Sequence, residues 1–264
     1  GWSLFVSSAV LQQEQLQVCP QERQIRAAVD AIRTNIRLFQ ARDLVVLSDG
    51  IDASYSTFGF IGRLLPEDIS LRFNRLGDGV PVPETPALYL VAGEDPRTID
   101  VLDRIGHLLK TWDVGSCGKW RLYATPGGLS FANGAPEPIG KWANGLQLWG
   151  YQVEKATPGE SLILTTFWKA TAERPLQWDH FFFHLFSPSG QFISQMDGPG
   201  VSSPYWRVGD WLILLTTLPL PADAPPGRYE IYCGLYSWPD LERIPLVAGE
   251  GTDNRLHLAE VQIP

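Results

Sequence analysis

Nowhere among the 264 residues do about 20 apolar residues run together, so no segment is expected to cross a bilayer as a helix. Lys and Arg form no cluster, and 21 of them stand against 29 Asp and Glu for a formal charge of −8. A nucleic-acid partner is therefore not expected. Cysteine is scarce, and Cys19, Cys117 and Cys233 show no metal-ligand spacing. Phosphate-binding patterns are missing as well. Gly77-Asp78-Gly79 and Gly115-Ser116-Cys117-Gly118 are glycine-bearing loops of neither dinucleotide nor P-loop form, so no cofactor and no resident metal are expected. The only Met is Met196, and the chain reads as a segment of a longer protein.

Hydrophobic residues, at 44%, suffice for a full core, and nothing in the composition points to disorder. The start, Trp2 to Leu11, is apolar over about half the length of a membrane helix. It fits either the tail of such a helix or a first strand. Cys233 lies inside an apolar strand pattern and is expected to be a buried free thiol. Cys19 and Cys117 lie in loop-like contexts, and both a disulfide and two free thiols remain open for them.

The first half alternates helices and strands. Ile25, Val29, Ile32, Ile36 and Phe39 share one face of a helix over Gln21–Gln40, with Arg23, Arg26, Arg33 and Arg37 on its solvated faces. Leu44–Leu47 and Pro86–Ala92 are continuous apolar runs, as in strands covered on both sides. Asp95-Pro96 supplies an N-cap and first turn, and the helix it opens is expected to run through Ile99, Leu102, Leu109 and Trp112 to Gly115. Trp120–Tyr123 gives a further strand.

After Thr125 the pattern changes. Seven strand candidates follow: 146–153, 161–168, 181–186, 191–195, 211–218, 229–236 and 256–263. Pro158-Gly159, Ser187–Gly190, Gly198-Pro199-Gly200 and Pro226-Gly227 punctuate them. The expectation is a two-domain α+β chain. Residues 1–125 form a small α/β domain with a Rossmann-like sheet, and residues 126–264 an antiparallel β-sandwich of immunoglobulin-like or jelly-roll type.

Of ten Trp, seven fall after Thr125. Most suit a sandwich core and its corners. Tyr205, Trp206 and Trp238 occur in or beside turns and are the aromatic residues expected at the surface. There they could stack on sugar rings, with Arg207 or Asp240 bonding hydroxyls. Ser48-Asp49-Gly50 follows the strand Leu44–Leu47, where ligands of open α/β sheets bind. A small hydrolase centred on Ser48 and Asp49 is the competing reading, although a nucleophile-elbow context is missing and His107 is the only histidine of that half. His180 and His184 sit about 13 Å apart along a strand, too far to share one metal ion. Asp197, Asp240, Glu242 and Asp253 are loop acids of the kind that hold Ca²⁺, and such scattered acids are also common without an ion.

Four elements carry a resemblance: Phe182-Phe-His-Leu-Phe-Ser-Pro-Ser-Gly190, Trp206-Arg-Val-Gly-Asp210, Leu220-Pro-Ala-Asp-Ala-Pro-Pro-Gly-Arg-Tyr229 and Gly234-Leu-Tyr236 with Glu242-Arg-Ile-Pro245. On these the second half resembles the C-terminal extracytoplasmic region of bacterial multi-pass membrane proteins of the glycosyltransferase family 39-like, dolichyl-phosphate-mannose protein mannosyltransferase-like group. The first half is similar, more weakly, to the soluble segment that joins the last membrane helix to that sandwich. The resemblance implies an accessory region at the extracytoplasmic face of the cell membrane. It also implies glycan, or the membrane domain of the same protein, as partner. Catalytic residues of that group lie between membrane helices, so none carries over. A purely structural interaction module is the third reading.

Overall fold

A computed structural model describes residues 22–49, 56–115, 118–130, 137–154, 158–172 and 178–264. Cys19 and Cys117 lie outside them, as does the apolar start. The chain is mostly β. Its first half contains α1 (Glu22–Phe39), β1 (Asp43–Ser48), α2 (Ser56–Arg63), β2 (Ser70–Arg75), β3 (Gly79–Val82), β4 (Ala87–Ala92), α3 (Pro96–Ile105), β5 (His107–Asp113) and β6 (Lys119–Thr125). The second contains β7 (Gly140–Trp142), β8 (Leu146–Glu154), β9 (Ser161–Ala170), β10 (Trp178–Phe186), β11 (Phe192–Gly198), β12 (Trp211–Pro219), β13 (Gly227–Trp238), β14 (Leu246–Ala248), β15 (Gly251–Thr252) and β16 (Arg255–Ile263).

Three sheets stack, and the alternation of side chains along single strands shows how. A mixed sheet runs β2-β1-β4-β6-β5, parallel across β2, β1 and β4 and antiparallel at β6 and β5. Leu44 and Val46 of β1 pack with Ala28, Val29, Ile32 and Ile36 of α1, while Val45 and Leu47 turn to the opposite face. That opposite face meets a six-stranded sheet, β14-β7-β8-β9-β12-β3, through Trp211, Ile213 and Leu215 of β12. Leu212, Leu214 and Leu218 of the same strand point the other way, toward a five-stranded sheet ordered β11-β10-β13-β16-β15. The six-stranded sheet is therefore covered on both sides at β12, which explains why this strand opens on five consecutive apolar residues, Trp211–Leu215.

The halves share more than a boundary. Strand β3, from the first half, pairs antiparallel with β12 through Trp211↔Val82, Leu212↔Pro81, Ile213↔Val80 and Leu214↔Gly79. Beside it, buried Arg72 of β2 donates through Nε to Asp43 at 2.8 Å and through a terminal nitrogen to Asp210. Asn74 of β2 donates to the Gly79 and Gly200 carbonyls at 2.9 and 3.1 Å and accepts from the Ser202 N–H at 3.1 Å.

Helix α3 is shorter than the sequence pattern implied. Asp95 caps α3 by accepting from the Thr98 N–H, but the helix stops at Ile105 and residues 107–113 form the edge strand β5. A Cβ on Gly106 would lie 2.6 Å from the Ala124 carbonyl oxygen, so only glycine lets the chain turn back against β6 there. The helical spacing of Leu109 and Trp112 has another origin. A bulge between Leu108 and Lys110 shifts the register, so both side chains reach the cluster under α1 from a strand.

Candidate functional site

Among the described residues, the outer face of the five-stranded sheet is not covered by another sheet. In β10 the odd residues Asp179, Phe181, Phe183 and Leu185 are buried inward, and Trp178, His180, Phe182, His184 and Phe186 line the outer face. Strand β13 sets Trp238 opposite Trp178, Tyr236 opposite His180 and Tyr232 opposite His184. Strand β11 adds Phe192 opposite Phe186, Gln195 opposite His184 and Asp197 opposite Phe182.

These rings touch in series. His180 stacks on Trp238 with centroids 5.1 Å apart and planes 4° apart, and its Nδ1 lies 3.1 Å from the Tyr236 hydroxyl. Phe182 meets His184 at 4.7 Å, His184 meets Phe192 at 5.6 Å, and Phe186 meets Tyr232 at 5.5 Å. From Trp178 to Phe186 the ribbon is about 26 Å long at about 3.3 Å per residue. Its Trp end is open: Trp178 is 44% and Trp238 49% exposed.

Midway along the ribbon is a cleft of about 230 Å³ lined by Phe182, His184, Gln195, Asp197, Tyr236, Leu241 and Arg243. The Arg243 guanidinium sits 5.4 Å above the Phe182 ring and donates to the Asp253 carbonyl at 3.0 Å. Arg255 lies over Phe186 and Tyr232, at 5.7 and 5.1 Å. Desolvation, reinforced by both guanidinium charges, pulls the His184 pKa down to about 4. At neutral pH the imidazole is uncharged, and its 3.7 Å approach to Asp197 is not an ion pair. Desolvation raises the Asp197 pKa, and Gln195 Nε2 donates to that carboxylate at 2.8 Å.

At one edge of this face, Glu230, His257 and Glu260 bring ligand atoms within 4.8 Å of one another. His257 and Glu260, three apart, share a face only because the register shifts by one residue between Ile231 and Tyr232. Glu260 is held by Arg228 at 2.8 Å, and Glu230 accepts from the Tyr232 hydroxyl at 2.9 Å, so both carboxylates are already engaged. Asp197, Asp240, Glu242 and Asp253 do not belong to this group.

The residues singled out from sequence part company here. Trp238 and Asp240 lie together at the open end of the ribbon, both exposed. Trp206 does not reach the surface. It is 5% exposed, its Nε1 donates to the Val201 carbonyl at 2.9 Å, and its ring lies 5.9 Å from Phe181 in the sandwich core. Tyr205 is half-buried against the cluster under α1, 6.0 Å from Phe73. The turn that carries them belongs to the joint between sheets, where Asp210 meets Arg72. Asp49 is exposed at the end of β1, in a different part of the molecule, and Ser48 is buried.

His107 is far from both. Register places it level with Leu44, through Ala124 and Leu88. Ser48 is then about 13 Å further along the strands and about 14 Å across them. The described residues therefore assemble no Ser–His pair at this position. Trp178, Phe182, Tyr232, Tyr236, Phe192 and Arg243 were not singled out as site residues from sequence, and His180 was weighed there only as a metal ligand. The segment Trp178–Phe186 held the signal, since it has aromatic residues on both strand faces where one face suffices for a core.

No family model matches the chain, and no curated protein matches it. Among solved structures, the C-terminal domain of Wzt is similar with a TM-score of 0.34 and 14% identity over 47% of this chain and 79% of that one. A β-glucuronidase of Bacteroides uniformis is similar with a TM-score of 0.29 and 12% identity over 49% of this chain and 14% of that one. Neither likeness is close enough to bear on function.

Proposed function

We propose that the protein binds glycan along the outer face of the five-stranded sheet. One observation carries this reading: Trp178 and Trp238, directly opposed on β10 and β13, are both about half exposed and open a continuous aromatic ribbon. Burying such rings against neighbours is the ordinary outcome for Trp, and leaving two of them side by side in water marks a contact surface. Flat indole faces suit the C–H faces of sugar rings. Asp197, Gln195 and the Tyr236 hydroxyl in the adjoining cleft suit sugar hydroxyls.

The resemblance described above supports a setting for this activity, that of a non-catalytic accessory region of a membrane glycosyltransferase-like protein, outside the cytoplasm. Among the described residues no helix is long and apolar enough to cross a membrane. A Rossmann-like reading of the mixed sheet is supported by parallel β2, β1 and β4, and antiparallel β6 and β5 depart from it.

A glycan array probed with the whole chain, followed by titration of hits through Trp fluorescence, tests the proposal. Trp238→Ala and Trp178→Ala are each expected to weaken binding by about tenfold or more, the effect of removing a central aromatic contact. Absence of binding across the array, or binding indifferent to both substitutions, overturns it.

A further inference from the structure

The cleft beside the ribbon has two charged walls of opposite kind. On one wall, Asp197 offers a carboxylate already positioned by Gln195, an acceptor for hydroxyl groups. On the other, Arg243 is brought in by an isolated antiparallel bridge to Tyr236, which lays its guanidinium over Phe182. Among the described residues Arg243 has no carboxylate partner, and its hydrogen bond goes to the main-chain carbonyl of Asp253. Its neighbour Arg255 differs, having Asp253 at 3.6 Å. Among the lining residues Arg243 is thus a positive charge that no ion pair neutralises, facing the Asp197 carboxylate across the cleft.

We infer that the glycan held by this face is acidic, and that Arg243 receives the carboxylate of a uronic-acid unit whose hydroxyls face Asp197. This rests on the glycan-binding reading above and names the class of sugar. The planar guanidinium can meet a carboxylate through two parallel N–H bonds, a geometry that a hydroxyl cannot reproduce. Seating on the Phe182 ring fixes the fork in place and leaves its edge to the ligand. A neutral sugar would satisfy Asp197 and the ribbon but leave the charge of Arg243 unanswered.

The test uses the whole chain and oligosaccharides of galacturonate, glucuronate and mannuronate, each paired with its carboxyl-reduced counterpart. Titration by Trp fluorescence is expected to show at least one acid binding about tenfold or more tighter than its reduced partner, as for one charge-assisted pair. Arg243→Gln is expected to erase that difference, so that the acid and its reduced partner bind with equal affinity. Added salt should shrink the preference in the unsubstituted chain and not in the variant. Because Arg243 is exposed, the variant should keep its melting temperature, and this is checked alongside.

Equal affinity for acid and reduced sugar, or a preference that survives Arg243→Gln, overturns the inference. If neutral glycans bind in a Trp238-dependent way without such a preference, the proposed function stands and the inference alone falls. If no acidic or neutral glycan binds, both fall together.

Discussion

Arg72 and Asp210, 138 residues apart in sequence, meet as a buried ion pair, each about 3% exposed. Asp43 accepts from the same guanidinium, and Arg207 approaches Asp43 at 3.3 Å from outside. Desolvation raises the Asp210 pKa, and the charge of Arg72 opposes that rise. The cluster ties β2 of the mixed sheet to the turn that opens β12.

Replacing Arg72 by Met should therefore cost about 3–5 kcal/mol, because buried Asp210 loses its cation and Asp43 keeps only the half-exposed Arg207. Urea unfolding checks this. A midpoint within error of the unsubstituted chain would mean that water already serves these carboxylates.

Trp206 and Trp238 should behave oppositely. Trp206→Ala removes a core ring and its hydrogen bond, for an expected loss of about 3–5 kcal/mol of stability. Trp238→Ala should leave the melting temperature nearly unchanged and act on ligand affinity alone. Calorimetry of the two variants beside each other separates these roles.

His184 makes stability depend on pH. Its folded pKa is about 4, below the ordinary 6.5, so its contribution is complete above pH 6.5. It is lost as pH falls from there toward 4, since the unfolded chain takes up the proton first. Around it stand Arg243, Arg255 and Asp197, and Asp197, with its raised pKa, acts in the opposite sense. The comparison is therefore with His184→Gln, which should flatten the decline between pH 6.5 and 4 in urea midpoints. Parallel curves for the two chains would remove His184 as the source.

Cys233 should resist alkylation in the native state. It is fully buried as a free thiol, and burial pushes its pKa up, so the reactive thiolate is scarce. Iodoacetamide followed by peptide mapping should label Cys233 only after denaturant is added.

Alternation made the second half readable. All seven strand candidates appear as β8 to β13 and β16, because all but β11 have an inward apolar row and turn signals separate them. The buried free thiol of Cys233 was legible on the same ground. Strand β3 was not, since Gly79-Val80-Pro81-Val82 is four residues long and draws its stability from pairing with β12 far along the chain. The helix over Leu109 and Trp112 was misread because a bulge imitates a helical period. For the site, exposure of Trp238 and Asp240 followed from their place in a turn. The same rule failed for Trp206, since a turn held under another sheet is buried. Arg243 had no sequence signal, as its position over Phe182 depends on a bridge that only the folded sheet creates.

The enclosed six-stranded sheet has a consequence for how this protein can be cut and shuffled. A piece starting after Thr125 would retain the whole aromatic ribbon. It would also bare Trp211, Ile213 and Leu215 to water and leave the β12 edge without β3. Such a piece presents a greasy slab and an open strand border, the two ingredients of self-association. The smallest portable unit is thus the joined pair of halves, and any fusion or gene rearrangement that keeps the aromatic face soluble has to carry the mixed sheet with it.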